Sequence, residues 1–418
     1  MAHEIRLFVG YSLTRFLNHL LDICDKLMTQ PELKHHAWRT IRANEAELRD
    51  LAIRILAHPE LGYHETQASA WLSDALASRS FRITQPFGGL PTAFDARLNA
   101  NAGPTIAFLA EYDALPNIGH GCGHNLIGTA AVGAAMGVAA VLAQTGGTLR
   151  VIGTPAEEFF DQEEGKIKLL RAGSFDGVDI ALMLHPYYES RLAGGDLGFV
   201  AFDLVFRGRP AHAAADPWNG ANALDGLLAT FSNVNALRQQ VRPDVRIHGI
   251  ITDGGQAPNI IPERAAARFM VRAANQQTLE QVYARVQECA RAGALASGTQ
   301  LELTHITTVY NSRLNRTLND LIAQNLAQLN VPLASEPSQS SGSSDFGNVS
   351  HALPAASFAI KTHPTGIPWH SHAVAQGAGE EMALQGMMNG ACALAGVALD
   401  LLSDAELRQR ARKDFETR

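Results

Sequence analysis

Two strong metal donors stand two positions apart in a glycine-rich segment of the chain, Gly119-His120-Gly121-Cys122-Gly123-His124-Asn125. Thiolate and imidazole are donors that transition metals favour, and the glycines let the backbone turn tightly before a following helix. A glycine turn with an incidental cysteine explains the same residues about as well. The segment is therefore a candidate ligand loop that needs partners from elsewhere in the chain.

A pair of adjacent carboxylates, Glu157 and Glu158, follows the apolar stretch 149–152. Two neighbouring carboxylates at the end of a buried strand repel each other unless a positive charge lies beside them. A divalent cation would supply that charge, so that one carboxylate binds metal while the other takes a proton from a metal-bound water. The alternative is a solvated acidic loop.

Two histidine segments complete the candidate set, since His185 ends another apolar stretch and His370 precedes the last long helical segment. Together the segments offer sulfur, nitrogen and oxygen donors for one or two transition metals, with Glu157 left free as the base. The predicted ligands are Cys122, His124, Glu158, His185 and His370. A closed structural zinc site is the alternative, but such sites use close ligand pairs in small domains and would leave Glu157 without a purpose.

Metal-assisted hydrolysis is the reaction that this set favours. Amide hydrolysis at neutral pH needs a nucleophile stronger than water, and a metal lowers the pKa of its bound water from about 15.7 to roughly 7. A general base typically adds about 10²- to 10⁴-fold in rate. The sequence contains no Gly-x-Ser-x-Gly elbow, phosphate-binding glycine loop or dinucleotide fingerprint. A metal-dependent deaminase would pair His-x-Glu with Cys-x-x-Cys, and that pairing is absent.

An α/β sheet would position these residues. Apolar runs at 105–110, 148–153 and 179–184 each end in polar residues and are separated by helical segments, which is typical of buried parallel strands. Ligands collect beyond the carboxyl ends of such strands. The sequence thus predicts a mixed, largely parallel sheet that is flanked by helices and bears the candidate site at one edge.

A different pattern begins near Gly194. Apolar and less apolar residues alternate over 200–207, and the segments that follow predict the order β-α-β-β-α-β of a split-βαβ, ferredoxin-like unit. After it, helix and strand alternate again. We therefore expect a discontinuous catalytic domain made of residues 1–193 and 310–418, with a second domain inserted at 194–309.

The composition fits a globular enzyme. The chain has 418 residues, of which 46% are hydrophobic and 18% charged, enough for large buried cores. A net charge of -7 without clustered Lys and Arg argues against nucleic acid as a partner. Four scattered cysteines indicate a reducing compartment, so we expect a cytoplasmic protein. We expect no membrane partner, because no run of about 18 uninterrupted apolar residues occurs; the N-terminal patches within 7–23 predict an amphipathic helix.

In their order along the chain, the motifs resemble those of the aminoacylase and carboxypeptidase-G-type metallopeptidase family. Within it they are most similar to the aminobenzoyl-glutamate hydrolase and aminoacylase-like dipeptidase branch. The resemblance runs from about Pro59 to beyond His372. Its motifs are the segments 111–116, 119–125, 154–158, 185–186, 208–214, 257–263 and 342–347 and the loop around His370.

This resemblance implies hydrolysis of an amide or peptide bond in a small N-acyl amino acid, an aminobenzoyl-glutamate-like compound or a dipeptide. It implies two divalent metal ions per subunit, held by the five predicted ligands, with Glu157 as general base and later acid. Many relatives carry a His-x-Asp metal motif with a bridging aspartate, where this chain has Cys122 and His124. Thiolate and imidazole suit zinc, whereas cysteine-bearing members are often associated with manganese, so both metals stay open. Asp113 would orient a ligand.

The resemblance also makes the inserted domain a lid and the interface of a homodimer. His212 would reach a substrate carbonyl in the partner subunit's active site and stabilise the oxyanion, although a polar turn residue is the alternative. Asn259 lies in a segment similar to the family's substrate-binding loop. Arg272 could pair with a substrate carboxylate or form a salt bridge on the strand surface. The alternative function is a non-catalytic small-molecule-binding or scaffold protein on the same fold.

Overall fold

The computed structural model describes residues 28–159, 162–335 and 342–417. The helix predicted within 7–23 lies outside these residues. In the described part, the strands form two separate sheets, one with seven strands and one with four, and each sheet packs against its own hydrophobic core. The predicted α/β class is confirmed.

The helices and strands follow one another in this order: α1 Gln30–Ala43, α2 Glu45–Ala57, α3 Thr66–Ala77, β1 Arg82–Thr84, β2 Phe94–Ala100, β3 Thr105–Ala110, α4 His124–Ala139, α5 Leu142–Thr145, β4 Gly147–Gly153, α6 Gly165–Arg171, β5 Ile180–Tyr187, β6 Arg191–Leu192, β7 Gly198–Arg207, α7 Ala223–Leu237, β8 Arg246–Asp253, β9 Arg264–Ala273, α8 Gln276–Ser297, β10 Gln300–Val309, α9 Arg316–Gln328, α10 Phe346–Ala352, β11 Ala355–Lys361, α11 His372–Gly377, α12 Glu381–Ser403 and α13 Ala405–Glu416.

The seven-stranded sheet has the order β1-β2-β4-β3-β5-β11-β6. Its four central strands, β4, β3, β5 and β11, are parallel, whereas β2 and β6 pair antiparallel on the two sides of this centre. Because parallel neighbours have their carboxyl ends at one edge, the loops after these four strands lie on the same side of the sheet. The prediction of a mixed sheet flanked by helices is confirmed, with parallel strands at its centre.

Both faces of this sheet are covered, which explains the apolar runs in its central strands. On β3, Ile106 and Phe108 pack into one core with α4 and α12, whereas Ala107 and Leu109 pack into a second core on the opposite face. Successive side chains of a strand point to opposite faces, so a strand buried on both sides needs apolar residues at every position.

The longest apolar helix of the described residues is α12. By length and composition it could cross a membrane, but 83% of its apolar window is buried inside the protein. It packs against α4, α1 and α9. A helix that is hydrophobic on all sides is typical of the centre of a large core, and α12 has that position here.

The four-stranded sheet is antiparallel and has the order β10-β7-β9-β8. Helices α7 and α8 cover one face, where Phe202, Phe206 and Phe269 are fully buried. The predicted split-βαβ unit is therefore confirmed, while its predicted boundaries at 194 and 309 stay a prediction. Strand β8 is an edge strand and exposes two large apolar side chains, Ile250 and Ile251.

Candidate metal centre

The five predicted ligands come from loops or strand ends at one edge of the seven-stranded sheet. Cys122 and His124 follow β3, Glu158 follows β4, His185 lies near the end of β5, and His370 follows β11. Among the described residues, four groups have donor atoms within 4.8 Å of one another: Cys122, His124 and His185; Cys122, Glu158 and His370; His124, Glu157 and Glu158; and Glu111, Glu157 and Asp345. The structure therefore brings together residues that are almost 250 positions apart in sequence.

Cys122 belongs to the first two groups, so a single thiolate could contact two cations. Its Sγ lies 3.3 Å from Nε2 of His185 and accepts a 3.3 Å hydrogen bond from Nε1 of Trp369. The neighbouring glycines allow this approach, since Gly123 has a positive φ of 76° and a side chain there would contact Pro186. This geometry accounts for the glycines on both sides of the thiol.

Hydrogen bonds from outside the cluster fix the orientation of the predicted ligands. Nδ1 of His124 lies 2.7 Å from Oδ1 of Asp113, and Nδ1 of His185 lies 2.8 Å from the Pro186 carbonyl. In both imidazoles Nε2 is therefore the nitrogen that faces the cluster. Oδ2 of Asp113 also accepts a 2.9 Å hydrogen bond from the backbone N–H of Glu158. Asp113 thus contacts two predicted ligands, as expected of an orienting residue.

The electrostatics of the cluster show a shortage of positive charge. Burial raises the pKa of Glu157 well above its usual range, and the neighbouring Glu111 and Glu158 raise it further. Burial also raises the pKa of the Cys122 thiol. Nε2 of His124 is buried and has no hydrogen-bond partner among the described residues. Buried acids, a buried thiol and an unpartnered imidazole nitrogen are costly without a cation, so this donor set fits divalent metal ions.

Glu158 differs from its neighbour in the direction of its pKa shift. Burial disfavours its ionised form, but a 2.8 Å contact with Nε2 of His370 and the charge of His124 outweigh that effect and lower the pKa of Glu158. An ionised carboxylate is the form that binds metal. The two adjacent glutamates therefore occupy different environments, as the assignment of one to metal and one to proton transfer requires.

The sequence reasoning missed a buried ion network behind the ligands. Nζ of Lys166 lies 2.6 Å from Glu111 and 2.5 Å from Asp345, and all three side chains are buried. Oε2 of Glu111 is 3.5 Å from Nε2 of His124. Glu111 could have been suspected from its position at the end of β3, but Lys166 follows an acidic loop and looks like an ordinary solvated residue. Lys166 compensates the extra carboxylates that surround the cluster.

A cavity of about 610 Å³ opens beside the cluster and is lined by Cys122, both glutamates, His185 and His370. Arg272 lines it from the inserted domain. Its guanidinium donates to Oγ of Ser343 at 3.0 Å and lies over the Phe199 ring, and no carboxylate among the described residues is within ion-pair distance. Arg272 thus forms no salt bridge with the described residues, and its pairing with a substrate carboxylate stays a prediction. Burial lowers the pKa of this guanidinium, which lines the cavity.

His212 and Asn259 lie together on the inserted domain, but neither lines this cavity. The backbone N–H of Ala213 donates to the Asn259 carbonyl at 3.0 Å, and both side chains are exposed. Nδ1 of His212 accepts from two backbone N–H groups at 3.2 and 3.1 Å. Nε2 is the ring nitrogen with no partner among the described residues. Within one chain, the structure thus separates these two predicted residues from the metal ligands.

Comparison with known sequences gives two findings. A sequence profile for a peptidase dimerisation domain matches residues 195–297, within the inserted domain. The whole chain is 36% identical to the Xaa-Arg dipeptidase of Mus musculus over 403 residues, 92% of each protein. It is also 34% identical to one of the subunits of the p-aminobenzoyl-glutamate hydrolase of Escherichia coli over 313 residues, which are 70% of this chain and 64% of that protein.

Solved structures share the fold. The Bacillus subtilis YXEP protein, described as a dinuclear metal-binding peptidase of the M20 family, superposes with a TM-score of 0.65 at 22% identity, over 86% of this chain and 99% of its own. An aminobenzoyl-glutamate utilization protein from Klebsiella pneumoniae gives a TM-score of 0.65 at 20% identity, over 86% of this chain and 97% of its own. At these identities the superpositions show a shared fold.

Proposed function

Because this chain is a hydrolytic enzyme that belongs to the M20 family of metallopeptidases, we propose that it cleaves the amide bond of a dipeptide or N-acyl amino acid bearing a free carboxylate. One observation carries the proposal. The five predicted ligands and Glu157 cluster beside a cavity that is also lined by Arg272, which pairs with no carboxylate of the described residues. The names of the relatives support the substrate class, because a dipeptide and an aminobenzoyl-glutamate both present a carboxylate beside the amide bond.

Cys122, His124, Glu158, His185 and His370 would hold two divalent cations per subunit, either Zn²⁺ or Mn²⁺. When bound, such cations lower the pKa of water and polarise a carbonyl group. The fit rests on the mixed sulfur, nitrogen and oxygen donors and on the unpartnered Nε2 of His124. The hydrogen bonds from Asp113 and Pro186 hold the imidazoles ready for this role.

Glu157 moves the proton. Its carboxylate lies 3.8 Å from Nε2 of His124, at the wall of the cavity, and makes no hydrogen bond that would occupy it among the described residues. A carboxylate in this position is suited to accept a proton from water and to pass it to the leaving amine.

Arg272 binds the substrate carboxylate and sets its direction. A half-buried guanidinium can form two parallel hydrogen bonds with a carboxylate, which fixes orientation as well as charge. Tyr187, Tyr188 and Trp369 form an aromatic wall in the same cavity. These rings supply apolar surface for the acyl side of the substrate and exclude water from it.

His212 acts in the partner subunit of a homodimer. The support is its exposed position away from the cavity of its own chain, and the profile match of the inserted domain to a dimerisation domain. Strand β8 offers the contact, because an edge strand with exposed Ile250 and Ile251 can pair with a second copy. Asn259 lies beside His212 and would contact the same substrate.

The test is a substrate panel with defined metal content. Protein loaded with Mn²⁺ or Zn²⁺ is assayed with dipeptides that end in basic residues, aminobenzoyl-glutamate and N-acetyl amino acids, and metal is counted by elemental analysis. We expect two metal ions per chain and hydrolysis within this panel. Glu157→Gln should keep both ions and lower kcat by about 10²- to 10⁴-fold. Two bound metals without hydrolysis of any substrate would instead support a binding or scaffold protein on this fold.

A further inference from the structure

The backbone takes a disfavoured conformation directly before the two glutamates. Ala156 has a φ of 60°, in the left-handed region that L-residues other than glycine avoid. Ala156 is fully buried, and the backbone of Gly62 packs against it so closely that a side chain at Gly62 would lie 2.9 Å from the Ala156 Cβ. A strained residue between a strand end and two functional side chains needs other contacts to hold it.

Two buried carboxylates provide those contacts, one on each side of Glu157. The backbone N–H of Ala156 donates to Oε1 of Glu65 at 2.8 Å, and the backbone N–H of Glu158 donates to Oδ2 of Asp113 at 2.9 Å. Glu65 is 91 residues away in sequence and fully buried. The segment 156–158 is thus fixed at both ends, and the side chain of Glu157 leaves it between the two attachment points.

Glu65 has no other evident task at the site. It precedes α3, yet its side chain makes no capping hydrogen bond to that helix, and it does not line the cavity. Its second oxygen, Oε2, accepts a 2.9 Å hydrogen bond from Oγ1 of Thr92. We propose that Glu65 is a positioning residue that holds Ala156 in the left-handed conformation and so sets the directions of Glu157 and Glu158. This inference rests on the proposed function for the roles of those two glutamates.

The test uses four variants, each loaded with Co²⁺. Glu65→Leu removes the acceptor, Glu65→Gln keeps an acceptor oxygen and cannot ionise, and the double variant Glu65→Leu/Ala156→Gly also removes the steric penalty of the left-handed conformation. Thr92→Val is the matched control, because it removes the other hydrogen bond of the same carboxyl group. The readouts are cobalt ions per chain, the thiolate-to-cobalt absorption band, kcat and KM, with circular dichroism as the check on folding.

We expect Glu65→Leu to lose cobalt stoichiometry and to lower kcat by about 10²-fold with KM nearly unchanged, since displacement of reacting groups by an ångström has effects of that size. Glu65→Gln and Thr92→Val should keep both cobalt ions and stay within about threefold of the wild-type kcat, because both retain the bond to Ala156. Adding Ala156→Gly to Glu65→Leu should restore the cobalt stoichiometry and most of kcat.

Three results would overturn the inference: wild-type cobalt binding and kcat in Glu65→Leu, failure of Ala156→Gly to rescue a folded Glu65→Leu protein, or an equal loss in Thr92→Val. If Glu65→Leu does not fold, Glu65→Gln decides, and a folded Gln variant that loses cobalt and kcat also overturns it. Cobalt binding needs no substrate. A wild-type protein that binds cobalt but hydrolyses nothing therefore contradicts the proposed function, while the cobalt readouts still decide the role of Glu65.

Discussion

The predicted metal ligands and the His212–Asn259 pair differ in how complete they are within one chain. The ligands are mostly buried, converge from four neighbouring strands and are oriented by further hydrogen bonds, as Asp113 shows for His124. His212 and Asn259 are exposed on the inserted domain, where their loops contact each other. The residues proposed to bind metal therefore come together within one chain, whereas His212 and Asn259 would need a second chain to bring them to a substrate.

Among the changes that test this comparison, removal of the Cys122 thiol should lower activity the most. Cys122 belongs to two donor groups, so Cys122→Ala takes a ligand from both. We expect fewer than two metal ions per chain and a decrease of kcat/KM by about 10³-fold or more. Cys392→Ala, a change of another buried cysteine in α12, is the control and should keep both metals. Full metal content in Cys122→Ala would contradict the assignment of Cys122 as a metal ligand.

The loss of His212 in one chain should be complemented by a second chain that still carries it. His212→Ala should lower kcat by about 10²-fold, the usual effect of losing an oxyanion donor. When inactive His212→Ala and Glu157→Gln proteins are mixed and allowed to exchange subunits, about a quarter of the sites should become active, because half of the dimers are mixed and each has one complete site.

That recovery is measured as activity against mixing time, with each variant mixed with itself as the control. If the mixture stays as inactive as its components while subunits demonstrably exchange, His212 acts within its own chain. The contrast between metal ligands that assemble within one chain and a His212 that needs a second chain would then be wrong.

A charge on the proposed dimer edge should lower activity less than the loss of His212 does. Ile250→Lys places a cation on the edge strand β8, where Ile250 is 64% exposed. We expect a smaller mass by light scattering at micromolar concentration and an activity about tenfold lower that recovers as protein concentration increases. Metal content should not change. Leu295→Lys, a change of an exposed leucine on α8, serves as the control. A dimer that persists in Ile250→Lys would exclude this edge.

The smallest expected effect concerns the junction between the two domains. Glu164 precedes α6 and accepts a hydrogen bond from Thr307 on β10 of the inserted domain. Burial raises the pKa of Glu164 to about 8. The folded protein therefore holds this proton more tightly than the unfolded chain, so the stabilisation from Glu164 is complete below about pH 4.3 and is lost as the pH rises through about 8.

Glu164→Gln cannot ionise and should escape that loss. Relative to the wild type, its Tm should improve by about 3 °C or more between pH 6 and pH 9, measured by differential scanning calorimetry. Glu163→Gln makes the same charge change at the neighbouring position, which pairs with Arg171 at the surface, and should not show this trend. Parallel curves of Tm against pH for Glu164→Gln and the wild type would mean that Glu164 does not titrate in this range.

Much of the fold could be predicted because buried strands leave clear patterns. The apolar run at 105–110 coincides with β3, and the alternation at 200–207 lies within β7. Strands β1 and β2 were missed. β1 has only three residues, and β2, Phe94–Ala100, alternates apolar and polar residues and is partly exposed in its second half, so it lacks the continuous apolar run that marks the central strands. Short or half-exposed strands depend on their neighbours for pairing, and a single sequence does not encode those neighbours.

The ligands could be named from residue type and position, but their supporting contacts could not. Asp113 lies in a recognisable motif, whereas Lys166 and Glu65 have no pattern around them that distinguishes them from solvated residues. Their contacts, with Asp345 and Ala156, join segments 179 and 91 residues apart. Such contacts result from packing of the whole domain, which local spacing does not specify. The exposed position of His212 likewise becomes informative only when the cavity of its own chain is known.

The pairing of β7 with β10 has a consequence for how the chain folds. Phe199 is opposite Val309, so the inserted domain starts and ends at neighbouring points. The entropy lost on closing a loop grows with the length of free chain between its ends. Once the insertion has folded, the connection between β5 and β11 is effectively shorter by the length of the inserted domain, and the two strands can pair at a smaller entropic cost. The folding rate of the seven-stranded sheet should therefore depend on how early the inserted domain forms.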